Sequence, residues 1–125
     1  MKSLIVIITS LNVMFLIMHE YDAFYRGEWK MFKFINKLKD STQFLIFFYL
    51  HIPITLLCLY YFWTTINFNN FLLWIIINIF SILHLIIHLI ARMWNSNVFK
   101  SINSFFIIAG SAITGLINLI IFRYY

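Results

Sequence analysis

The chain has 125 residues, of which 63% are hydrophobic and only 10% charged. Soluble domains carry about 25% charged residues, and a water-soluble fold of this length has no means of covering so much apolar surface. The net charge of +5 comes from Lys and Arg set between apolar runs, not on an aromatic-studded face, so nucleic-acid binding is not expected.

In chain order, the first apolar run ends at His19-Glu20-Tyr21-Asp22 with no small-residue cleavage site, and it reads as a retained helix, not a removed leader. The predicted spans are about 4–20, 42–65, 71–91 and 102–122, each close to the roughly 20 residues a bilayer core requires. The expected fold class is all-α, an integral membrane four-helix bundle forming a single domain over 1–125, with an interfacial helix between the first two spans. That helix is read from Trp29, Phe32, Phe34, Ile35 and Leu38 interleaved with Lys30, Lys33, Lys37 and Lys39, a pattern suited to anionic lipid. Asp40-Ser41-Thr42 offers an N-cap for the second span, and Ile66 to Asn70 form a tight hairpin into the third.

Seven of the nine basic residues (Arg26, Lys30, Lys33, Lys37, Lys39, Arg92 and Lys100) fall in the first and third connections, against Lys2 and Arg123 on the other side. The positive-inside rule then puts both of these loops in the cytoplasm and both termini outside, in a bacterial cytoplasmic membrane with lipids as the immediate partners. Tyr60, Tyr61, Trp63 and Trp74 suit an outer aromatic belt, and Trp29 and Trp94 an inner one. Cys58 lies within an apolar run and reads as a small core residue.

The polar residues inside or beside the spans carry the functional reading. All four acidic residues, Glu20, Asp22, Glu28 and Asp40, lie between positions 20 and 40. His19 ends the first span, His51 lies roughly 13 Å into the second, and His84 and His88 lie roughly 12 and 6 Å deep in the third. His84 and His88 are spaced i,i+4, which puts two imidazoles on one helix face where they can share a metal. An intramembrane ionisable group is costly and so is a functional candidate; its plainer reading is a hydrogen bond to a neighbouring helix. Pro53, two residues after His51, removes a backbone donor and can bend the helix. In the last span, Gly110/Thr114 and Ser111/Gly115 are small-xxx-small pairs suited to close packing, with Asn78 and Asn118 as interhelical hydrogen bonders; a homodimer seam is the lesser use.

The run His19-Glu20-Tyr21-Asp22-Ala23 followed by Glu28-Trp29 resembles the HE-x-D-A…EW signature of a family of small four-helix bacterial membrane proteins. His51-Ile52-Pro53 resembles that family's H-x-P, His84-x-x-x-His88 its paired histidines, and Gly110 to Gly115 its glycine-bearing last span. The family usually has a proline before the second span, where this chain reads Leu38-Lys39-Asp40. A more distant similarity is to membrane proteins named for an H-x-x-E-E motif, which this chain does not meet. The resemblance implies the four-span fold and singles out the same histidines and carboxylates, without implying an activity.

Four functions compete. The first is a divalent metal site, zinc or iron, with His51, His84 and His88 as ligands and His19 or Glu20 completing the set. Glu28 or Asp22 would then orient a ligand or act as general base, in an enzyme acting on a lipid or hydrophobic small molecule. The second is b-type haem held between His51 and His84 or His88. The third is a proton relay, and the fourth an accessory subunit that works with a partner membrane protein or as a homo-oligomer.

Overall fold

The computed structural model describes residues 2–31, 37–93 and 101–124. Within them lie the helices α1 (Lys2–Arg26), α2 (Asp40–Asn67), α3 (Phe71–Ala91) and α4 (Ile102–Phe122), with one 3-10 turn at Glu28–Met31 and no strand. All four helices are long and apolar enough to cross a membrane. The interfacial helix expected between the first two spans falls largely on residues 32–36, outside the described residues, as do Trp94 and Lys100.

Local chemistry sets the helix ends. Gly27 (φ +70) closes α1, because its lack of a Cβ admits the left-handed turn that donates its N–H to the Phe24 carbonyl. Phe68 (φ 52) ends α2 in the same way, with Asn69 N–H bonding back to the Thr64 carbonyl at 3.3 Å. Asn70 then caps α3 by accepting the Leu73 N–H at 3.0 Å, and Ser101 caps α4 by accepting that of Ser104 at 3.1 Å. Asp40 is not the expected cap of α2. Lys39 stands at that position with no side-chain bond, and the Asp40 carboxylate instead accepts the Trp29 indole N–H at 3.1 Å.

α1 and α3 both pack chiefly on α4, and α2 packs on α1 and more sparingly on α3. The buried seam of α1 runs Ile5, Thr9, Asn12, Leu16, His19, Ala23, and that of α4 runs Ser104, Ile108, Ser111, Gly115, Asn118. Steps of three and four keep each seam facing its neighbours. Glycines let α4 come close: a Cβ on Gly115 would lie 2.9 Å from the Asn78 carbonyl oxygen, and one on Gly110 2.7 Å from the Phe15 ring. The small residues of α4 are thus used inside the bundle.

Polarity is inverted relative to a soluble protein. Thr9, Asn12, Asn78, Ser81 and Asn118 are fully buried, while Leu56, Leu72, Ile87 and Ile113 stand more than half exposed. Asn118 donates to Asn78 Oδ1 at 2.9 Å and to Thr9 Oγ1 at 3.2 Å. Asn78 donates to the Tyr61 hydroxyl at 3.0 Å, and Asn12 to the Ser111 carbonyl at 2.8 Å and to Thr114 Oγ1 at 3.0 Å. Two residues expected in the outer aromatic belt belong to this interior. Tyr61 and Trp74 are buried, because the bundle supplies their polar tips with partners: Asn78 for the phenol and Thr9 for the indole. Tyr60 and Trp63 do face outward, stacked at 5.9 Å. Trp29 packs on Phe44 and Phe47 instead of lying apart.

Candidate metal centre

At the end of the bundle where α1 finishes, three imidazoles converge. His84 and His88 sit one turn apart on α3, and their rings stack at 4.6 Å with an interplanar angle of 9°. His19 crosses from α1 and meets both edge-on, at 4.5 Å and 5.0 Å. Its Nε2 lies 3.0 Å from His84 Nε2. One nitrogen from each of the three rings falls within a mutual span of 4.8 Å. Nitrogens bound at 2.0–2.1 Å around a tetrahedral ion stand roughly 3.3 Å apart, a spacing close enough to the observed one that the three could hold a metal ion. His19 and His88 are buried, and His84 is half-buried.

His51 and Glu20, also predicted at the site, are brought to each other and not into this trio. His51 Nε2 lies 3.2 Å from Glu20 Oε2. Its Nδ1 is 2.6 Å from the Phe47 carbonyl, which can only accept, so that nitrogen carries the hydrogen. Phe24 and Phe47 hold the ring from either side, at 5.2 and 3.8 Å. A helical i−4 carbonyl and a facing stripe of α1 have therefore set the direction of His51, which depth along α2 could not reveal.

The remaining carboxylates lie at the same end. Asp22 Oδ1 accepts from Arg26 Nε at 3.3 Å, and Arg26 reaches on to the Ser101 hydroxyl at 2.8 Å, tying α1 to the start of α4. Asp22 Oδ2 is buried with no hydrogen bond among the described residues. Glu28 follows the Gly27 turn, which folds it back toward Glu20 and Asp22. Burial first, then the negative charge of those two groups, pushes its carboxyl up to about 7. Asp40 lies apart, with Lys30 Nζ 3.8 Å from its carboxylate.

Two spaces adjoin these groups. A small cavity of about 10 Å³ is lined by Leu16, His19, Ser81, His84, Ile108 and Ser111. A wider groove of about 420 Å³ runs between α1 and α2, past Ser10, Val13, Ile17, Tyr21, Leu59 and Phe62. Ser81 and Ser111 were not among the residues predicted from sequence. The available signal was their position on the buried seams, Ser81 three residues before His84 and Ser111 four before Gly115.

The chain belongs to the Family of unknown function (DUF6713), whose model matches residues 5–125. No curated protein and no solved structure matches it.

Proposed function

We propose that this chain is a membrane-embedded metalloprotein in which His19, His84 and His88 hold a divalent transition metal, zinc or iron. The observation that carries this reading is the convergence of three imidazole nitrogens from two helices within 4.8 Å. Neutral imidazoles with carboxylates nearby, and no thiolate but the distant Cys58 of the hairpin half, suit zinc or iron better than a soft metal. The inverted polarity of the bundle supports lipid as its solvent. The charge distribution supports both basic loops in the cytoplasm, as in a bacterial cytoplasmic membrane, with both termini outside. The motif run from His19 to Trp29 and the pairs His51-x-Pro53 and His84-x-x-x-His88 support the resemblance to small four-helix membrane proteins.

The surrounding groups favour an enzyme over an accessory subunit. When bound, such a metal supplies Lewis acidity to a ligated oxygen. The chain's own residues would handle protons. Glu28, with a carboxyl near neutrality, can accept or release one at the working pH. Asp22 orients Arg26 and keeps one carboxylate oxygen turned inward. The groove between α1 and α2 follows the stripe Val13–Ile17, and Glu20 comes next on that stripe. A lipid chain or hydrophobic small molecule entering sideways would be led to the His51–Glu20 pair.

Haem fits the arrangement poorly. A bis-histidine haem needs imidazoles on opposite sides of its plane, whereas His84 and His88 stack on one helix with His19 touching both. The deciding experiment is elemental analysis of detergent-purified protein with an absorption spectrum of the same sample. Near-stoichiometric zinc or iron that vanishes in a His84→Ala/His88→Ala variant is the expected result. Folded wild-type protein that neither retains nor takes up metal would overturn the reading.

A further inference from the structure

The three-histidine set leaves the identity of its fourth ligand open, and that identity separates two kinds of metal site. Structural zinc sites close with four protein ligands, whereas catalytic ones keep one position for water or substrate. From sequence, His51 was expected among the ligands with His84 and His88, and His19 or Glu20 was expected to complete the set; of these, Glu20 is the carboxylate. Its Oε2 instead lies 3.2 Å from His51 Nε2, on the α2 side and outside the trio.

Beside His19 and His84 lies a small cavity that these two rings line together with Leu16, Ser81, Ile108 and Ser111. Its volume of about 10 Å³ is that of one water on the scale where about 10–15 Å³ admits a single molecule. The hydroxyls around it are not alike. Ser81 Oγ donates to the Ile77 carbonyl, so its hydrogen is spent within its own helix. Ser111, only 4% exposed, has a buried Oγ with no hydrogen-bond partner among the described residues. A buried hydroxyl left unbonded costs about 1–3 kcal/mol unless something else meets it. The cavity places it beside the space that His19 and His84 also border.

We infer that this chamber holds the metal's fourth ligand, a water or a similarly small oxygen species, positioned by a hydrogen bond to Ser111 Oγ. The inference rests on the metal site proposed above and makes it an open, reactive centre instead of a closed structural one. It also sets the size of what binds on this side. Leu16 and Ile108 are buried, so the interior position admits a molecule of water's dimensions and no lipid headgroup. Ser111 is a positioning residue in this scheme, since it meets the metal only through the ligand.

The test loads the full chain with Co²⁺ and compares its electron paramagnetic resonance in ordinary water and in water enriched in the magnetic isotope of oxygen. Wild-type protein should bind one cobalt, and its spectrum should broaden with the isotope. Ser111→Val fills the chamber with a methyl group and should keep the cobalt while losing the broadening. Ser111→Thr, which fills the space but keeps the hydroxyl, should do the same, and Ser111→Ala, which leaves the space open but removes the hydrogen bond, should keep the cobalt and weaken the broadening; a Ser111→Ala spectrum identical to wild type would overturn the role of the hydroxyl. Bound cobalt without broadening in the wild type would overturn the inference while leaving the histidine site standing. Broadening that persists unchanged in the Val and Thr variants would also overturn it. Failure of the wild type to bind cobalt would remove the metal site itself.

Discussion

The two ends of this bundle bury polar side chains in opposite ways. In the half nearer the α2–α3 hairpin, donors meet acceptors: Asn118 finds Asn78 and Thr9, Asn78 finds Tyr61, and Trp74 finds Thr9. All of these groups are neutral, and together they fasten helices. At the other end like is set against like. Three imidazoles crowd within 4.8 Å, and Glu28 shares its surroundings with Glu20 and Asp22. The first end joins helix to helix through unlike neutral groups; the second gathers groups of one kind, imidazoles beside carboxylates, the donor set from which the proposed metal site is drawn.

The sharpest way to break this comparison is to remove members of each end and count metal. His84→Ala/His88→Ala should lose metal completely, from near one ion per chain to none by elemental analysis, in a protein that still folds. Asn118→Ala should keep its full complement. Loss of metal in both would mean that the two ends are one device, and the contrast would fail.

The next largest effect lies in the neutral half. Gly115→Ala puts a methyl group 2.9 Å from the backbone carbonyl oxygen of Asn78, which cannot rotate away as a side chain could. Separating α3 from α4 there should cost about 1–3 kcal/mol, read from denaturant unfolding in detergent. Asn118→Ala should cost somewhat less, about 1–2 kcal/mol, because hydrogen bonds between apolar-phase helices are individually modest but its partners Asn78 and Thr9 would be left bare. An Asn118→Ala protein as stable as wild type would show that the network is incidental.

Sequence reasoning reached these two regions unevenly. The four helices were legible because apolar length and loop charge are one-dimensional signals; α3 and α4 begin and end at the expected residues 71–91 and 102–122. The His84–His88 pair was legible because i,i+4 spacing fixes a shared face whatever surrounds it. Asn78 and Asn118 were expected to bond between helices, and they do. Rotation about a helix axis was harder to read. His51 has the right depth for the trio, yet the carbonyl of Phe47 and the Phe24 stripe of α1 turn it to Glu20. Tyr61 and Trp74 looked like belt residues because composition near a hairpin cannot distinguish an outward ring from an inward one. Thr9 and Asn12 drew no comment, although their three-residue step continues the seam from Ile5 to His19. Asp40 looked like a cap by residue type, but α2 starts at Asp40 itself, which leaves Lys39 at the cap position and turns the Asp40 carboxylate to the Trp29 indole.

The smallest effect concerns Glu28 and carries the comparison into pH. In the unfolded chain its carboxyl titrates near the ordinary 4.5, and in the folded chain near about 7, raised by burial and by the charges of Glu20 and Asp22. Between those values the folded protein binds more protons at this group than the unfolded chain does. The sign follows: the group favours the folded state most at and below 4.5, and stability falls as pH rises toward about 7, then levels off. Glu28→Gln carries no charge to bury, so it should flatten this slope and be the more stable protein above pH 7. The rest of the chain is the same in both proteins, so its contribution cancels in the difference between the two curves. The exposed Lys30–Asp40 pair adds little at any pH. Thermal unfolding of wild type and Glu28→Gln across about pH 5 to 8 therefore isolates one carboxyl. Parallel curves would mean that Glu28 is solvated like a surface residue, and that the crowding of like charges ends at Glu20 and Asp22.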